Sequence, residues 1–176
     1  MDRALLASFR GIAWCHVPAD QPVELERLVT VDGDDDRWNR PGQPTVYLAT
    51  EPALALAELA RHLEPGGTAE PIRRRLLGLK LEIDELVDLR RPDVRAALDG
   101  PEAVEAFRDR DVAREVAERA RTGRHAHGLL VPSMAFLDEP ERANLVLFVD
   151  NLGGDFPALV RDCVEAGSVV LDSPGG

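Results

Sequence analysis

The stretch Thr45-Val46-Tyr47-Leu48-Ala49-Thr50-Glu51-Pro52-Ala53-Leu54-Ala55-Leu56-Ala57-Glu58-Leu59 changes its pattern in the middle. Thr45 to Ala49 is rich in β-branched and aromatic residues, which predicts a strand. Thr50 reads as a helix N-cap, with Glu51 and Pro52 in the first turn. The helix is expected to run to about Leu63 and to stop at Pro65-Gly66-Gly67. Glu58 is the acid in this nearly all-apolar helix. Its carboxylate either is exposed with an intrahelical partner, Arg61 or His62 three and four residues on, or projects into a cleft.

Reading outward, Leu77 to Asp84 alternates, with Leu79, Leu81 and Ile83 on one face and Lys80, Glu82 and Asp84 on the other. That is the pattern of a half-buried strand. The preceding Arg73-Arg74-Arg75 reads as the solvated face of a short helix. Pro92 to Leu98 predicts a short helix. Pro101 to about Thr122 predicts a longer one, broken near Arg108-Asp109, with Val112, Val116 and Ala120 on its apolar face and Gly123 as its stop. Gly128 to Val131 and Leu145 to Val149 are apolar enough for short strands. Phe156 to Ala166 reads as a helix and Ser168 to Leu171 as a last strand. Helices and strands without regular βαβ alternation predict an α+β fold. With no repeat and no long linker, residues 1–176 are expected to form one domain.

The chain has 176 residues and a net charge of −11, so phosphate backbones repel it and direct nucleic-acid binding is not expected. No run reaches the length of a membrane span and no signal peptide is evident, so a cytoplasmic location is expected. Cys15 and Cys163 form neither a CxxC nor a metal set, and they leave a single disulfide open.

Two further polar islands stand beside Glu58. Arg37 sits in the turn-like Arg37-Trp38-Asn39-Arg40-Pro41-Gly42, after the acidic run Asp34-Asp35-Asp36. Its fixed cation suits either a salt bridge to that run or a phosphate or carboxylate ligand. Ser133 ends the apolar Leu129-Leu130-Val131-Pro132. Without a Gly-x-Ser-x-Gly elbow it reads as a hydrogen-bonding hydroxyl rather than a nucleophile. Tyr47 is the chain's one tyrosine, either a core aromatic or a ring that stacks on a flat ligand. His125-x-His127 lacks companion ligands and reads as a loop, so no metal is expected. There is no P-loop and no Gly-x-Gly-x-x-Gly after a strand.

In order, Gly33-Asp34-Asp35-Asp36-Arg37-Trp38-Asn39-Arg40-Pro41-Gly42, Val46-Tyr47-Leu48-Ala49, Ala55-Leu56-Ala57-Glu58, Gly128-Leu129-Leu130-Val131-Pro132-Ser133 and Asn144-Leu145-Val146-Leu147-Phe148 resemble the RES domain family. The resemblance spans roughly residues 12 to 150. It implies an ADP-ribosyltransferase-like fold, with a mixed or antiparallel sheet and flanking helices. It also implies an activity that consumes NAD+ as substrate, as in bacterial toxins held inactive by an Xre-type helix-turn-helix antitoxin. Carried over by position, Arg37, Glu58 and Ser133 would be catalytic, and Arg37, Tyr47, His16 and Asn39 would bind substrate. Arg37 would grip the diphosphate and Tyr47 would pack on the nicotinamide side. Glu58 would stabilise positive charge at the ribose, and Ser133 would position Glu58 or the ribose. Water, phosphate or a protein side chain are all open as acceptors. The alternatives to NAD+ cleavage are a silent nucleotide- or protein-binding module and a protein ADP-ribosyltransferase.

The family usually carries an aromatic-Arg pair near the N-terminus. Here the corresponding stretch is Trp14-Cys15-His16-Val17-Pro18, with Cys15 where Arg is expected. Arg10 and His16 are the candidates to replace that contact.

Overall fold

A computed structural model of the chain describes residues 5–31, 36–61, 72–139 and 141–171. Gly33, Asp34, Asp35, His62, Leu63 and Pro65-Gly66-Gly67 lie outside the described residues, as does the side chain of Arg61. The described strands are β1 (Leu6–Pro18), β2 (Val29–Thr30), β3 (Thr45–Ala49), β4 (Ile72–Asp88), β5 (Gly128–Pro132), β6 (Ala143–Phe148) and β7 (Asp162–Leu171). The described α-helices are α1 (Pro52–Arg61), α2 (Pro92–Ala96) and α3 (Arg110–Arg124). The fold is α+β, as the sequence predicts.

All seven strands form one sheet, ordered β1-β3-β6-β5-β4-β7, with β2 on β3. β1 also pairs along its length with β4, so β1, β3, β6, β5 and β4 close into a ring. The β1–β3 seam is a single register pair, Trp14 with Ala49. The sheet is mixed: β4 and β5 run parallel, and the other pairings are antiparallel.

One core fills the ring, with Ala13, Cys15, Leu48, Leu79, Leu81 and Leu145 among its residues. A second lies under α2 and α3, where Phe107, Val116, Ala120 and Leu129 meet Phe148. A third, smaller cluster sets α1 down: Leu54, Ala55 and Ala49 pack against Trp14, Leu76 and Phe136. Trp14 comes close to β4 because Gly78 has no side chain. A Cβ there would sit 3.1 Å from the indole ring.

Several expectations need correction. Arg73-Arg74-Arg75 lies in β4, which is longer than its alternating centre. Both edges of that segment are paired, with β1 and with β7, and this overrides the solvated-helix pattern. Phe156 to Ala166 is not a helix: after a 3-10 turn at Pro157–Leu159 the chain becomes β7. Its apolar residues 156, 159, 160, 163 and 164 mimic helical spacing, but the backbone bonds offered by β4 win. The long helix breaks where expected. Its first part is a 3-10 turn at Val104–Arg108, and Asp109 caps α3 by accepting from the Asp111 and Val112 amides. Gly123 lies inside α3; His125 takes the left-handed conformation at its end, with φ 52°. The Thr50 hydroxyl donates to the Ala143 carbonyl at 2.7 Å, tying α1's start to β6.

Candidate active site

α1 presents Leu54, Ala55, Glu58 and Leu59 on one face, because residues three and four apart align along a helix. Leu54, Ala55 and Leu59 are buried, so that face is turned inward and carries the Glu58 carboxylate with it. Glu58 is therefore a clefted acid rather than an exposed one. Its Oε1 accepts a 2.7 Å bond from the Ser133 hydroxyl and a 3.0 Å bond from the Asn144 side-chain amide. Ser133 is fully buried at the end of β5 and is fixed in turn, its Oγ accepting from the Ala135 amide at 3.0 Å. Asn144 stands on β6, in register with Ala49 of β3 and Val131 of β5. Three separate segments thus converge on one carboxylate oxygen.

Glu58 lines a cleft of about 500 Å³ that is walled by β1, β3, α1 and the segment Asp36–Trp38. Arg37, Tyr47 and His16 line the same cleft, as do Trp14, Arg74, Arg110 and Asn144. The Arg37 guanidinium is anchored from the side, its Nη1 donating to the carbonyls of Phe107 at 2.6 Å and Arg108 at 2.8 Å. The same segment is braced by Trp38, whose ring meets Phe107 edge-on at 5.0 Å between centroids. It is braced again by Arg114, which donates to the Asp36 carbonyl.

Tyr47 is both a core aromatic and a cleft wall. Its hydroxyl donates to Asn39 Oδ1 at 2.6 Å and accepts from the Trp38 amide at 3.0 Å. Burial, and then the nearby charge of Asp36, push its phenol pKa well above the ordinary range. It stays a neutral donor at physiological pH.

The structure thus brings Arg37, Tyr47, Glu58 and His16 to one cleft. Ser133 and Asn39 stand behind it: Ser133 orders Glu58, and Asn39, 1% exposed, orders Tyr47. Trp14, Arg74, Arg110 and Asn144 join the site only through the fold. The Asn144 signal was there, a lone amide opening the apolar Leu145 to Val149. Arg74 was hidden in a basic triplet.

Cys15, between Trp14 and His16 on β1, packs in the ring core and also borders the cleft. Burial, aided by Cys163, pushes its thiol pKa up to about 12. Both cysteines are free. Arg10 does not line the cleft and pairs with Asp84 at 2.7 Å. Among the described residues, no group of three or more His, Cys, Asp or Glu could hold a metal ion, and no helix is long and apolar enough to cross a membrane.

Residues 31–170 match the profile of the RES domain family, a span that holds Arg37, Glu58 and Ser133 and begins after β1. Among solved structures, the fold matches that in the crystal structure of the M. tuberculosis MbcT–MbcA toxin–antitoxin complex. The TM-score is 0.61 at 18% identity, over 92% of this chain and 87% of that one. No curated protein matches the sequence.

Proposed function

Since the chain belongs to the RES domain family, we propose that it cleaves the nicotinamide–ribose bond of NAD+, with water or phosphate as acceptor. The observation that carries this reading is the Glu58 carboxylate, held by Ser133 and Asn144 at the wall of a cleft that also holds Arg37. Departure of nicotinamide leaves positive charge on the ribose. A carboxylate already oriented by two donors need not reorganise as that charge develops, so it favours the transition state over the ground state. Nicotinamide leaves neutral, so the chemistry does not require a strong general acid.

The remaining roles follow from position. The carbonyl-anchored Arg37 fixes a cation for the diphosphate, and a guanidinium forks onto such oxygens better than an ammonium does. Trp14 and Tyr47 offer flat apolar surface to the leaving ring. The toxin–antitoxin complex of the structural neighbour supports a toxin role with an antitoxin as partner, and the sequence resemblance suggests one of the Xre-type helix-turn-helix class.

Purified protein incubated with NAD+, with and without phosphate, tests the chemistry. Nicotinamide should be released, and the dependence on phosphate identifies the acceptor. Intact NAD+ after prolonged incubation, in protein that binds it, would refute the reading. Expression should arrest growth, and co-expressed antitoxin should restore it.

A further inference from the structure

Position 15, where the sequence resemblance implies arginine, holds a cysteine packed in the apolar core. Arg10, the obvious substitute in the sequence, pairs with Asp84 and does not line the cleft. Yet the β1 side of the cleft is not without a cation. Arg74 of β4 lines it. The antiparallel register sets His16 opposite Leu76 and Pro18 opposite Arg74, so Arg74 shares the sheet face of Trp14 and His16.

The neighbours of Arg74 are committed elsewhere. Arg75 points to the opposite face, donates to the Gln21 carbonyl and pairs with Glu165 at 3.4 Å. Arg73 is exposed. The Nε atoms of Arg74 and Arg75 are both buried without a hydrogen-bond partner among the described residues, and of the two residues it is Arg74 that lines the cleft. A buried donor without a partner is unfavourable unless a ligand supplies the acceptor. Arg37 and Glu58 line the same cleft.

We propose that Arg74, presented from β4, is a second cation of the diphosphate subsite beside Arg37. This rests on the reading of the cleft as a dinucleotide site. Arg74 and Arg37, which line the same cleft, would both contact the diphosphate. The nicotinamide riboside half of the ligand would be left to Trp14, Tyr47 and Glu58.

The test compares wild type, Arg74→Gln and Arg74→Lys as the full chain, with thermal melting to confirm folding. Calorimetry measures binding of ADP-ribose, which carries the diphosphate, and of nicotinamide riboside, which does not. Arg74→Gln should weaken ADP-ribose roughly tenfold to a hundredfold, the loss of one charge-assisted hydrogen bond. It should shift nicotinamide riboside by less than about twofold and raise KM for NAD+ more than it lowers kcat. Arg74→Lys should recover part of the ADP-ribose affinity. Unchanged ADP-ribose affinity in Arg74→Gln, or equal losses for both ligands, would overturn the proposal while leaving the dinucleotide reading standing. Wild-type protein that binds neither ADP-ribose nor NAD+ would overturn both.

Discussion

The Ser133 hydroxyl donates a 2.7 Å hydrogen bond to Glu58, across 75 residues of sequence. The two come from different parts of the fold, Ser133 from the end of β5 and Glu58 from the inward face of α1. Neither could hold the other unless α1 were seated on Ala49, Trp14 and Leu76. Packing of the smallest apolar cluster therefore sets the geometry of the carboxylate.

Ser133→Ala removes one of the two described donors to Glu58 and leaves the Ala135 amide without its acceptor. Nicotinamide release should fall about tenfold or more through kcat, with KM little changed. The buried site should also lose roughly 1–3 kcal/mol of stability, measured by denaturant titration. A normal kcat in a folded variant would detach Ser133 from catalysis.

Tyr47→Phe keeps the ring but strips the acceptor of the Trp38 amide and the donor to Asn39. Stability should drop by about 1–3 kcal/mol. The phenol also predicts a pH effect. Its folded pKa is raised, so its stabilisation is complete below the unfolded value of about 10 and is lost as pH rises above that. Wild type should lose stability more steeply than Tyr47→Phe above about pH 10, read by urea midpoints across the alkaline range. Identical slopes would contradict a buried phenol.

Cys15→Arg would place a cation in the apolar cluster that holds Leu77, Leu79 and Leu81, at the border of the cleft. It should destabilise the protein by roughly 3–5 kcal/mol, the scale of an uncompensated buried charge, without raising activity. In the native wild type one thiol per chain, the exposed Cys163, should react with a thiol reagent at mild alkaline pH. The buried Cys15 should react only after unfolding. Two fast thiols in native protein would show that β1 is turned the other way.

Arg37→Lys replaces a fork anchored on the Phe107 and Arg108 carbonyls with a point charge. KM for NAD+ should rise about tenfold, the size of one charge-assisted bond, with a smaller change in kcat. Steady-state kinetics check it, and an unchanged KM would remove Arg37 from the substrate contacts.

Local chemistry made much of this fold readable. The β-branched Thr45 to Ala49, the alternation of Leu79, Leu81 and Ile83, and the helix break near Arg108-Asp109 were each legible within a few residues. What escaped depends on partners distant in sequence. Phe156 to Ala166 has helical spacing, and only the free edge of β4 makes part of it a strand. Arg74 looks like one of three solvated cations until β1 and β7 flank it. In the site, Arg37, Glu58 and Ser133 stood out as polar residues in apolar or turn-like surroundings. That Ser133 and Asn39 act from behind the cleft could not be read from spacing. It follows from which side of each strand or turn faces the core.

The most direct test of the account is nicotinamide release from NAD+ by the full chain beside Glu58→Gln, with ADP-ribose affinity measured in parallel. The account predicts release by the wild type and a rate roughly 100- to 1,000-fold lower in the variant. ADP-ribose affinity should stay within about threefold, because the carboxylate acts on the transition state rather than on the bound ligand. Undiminished release by Glu58→Gln, or none by wild-type protein that binds NAD+, would contradict it.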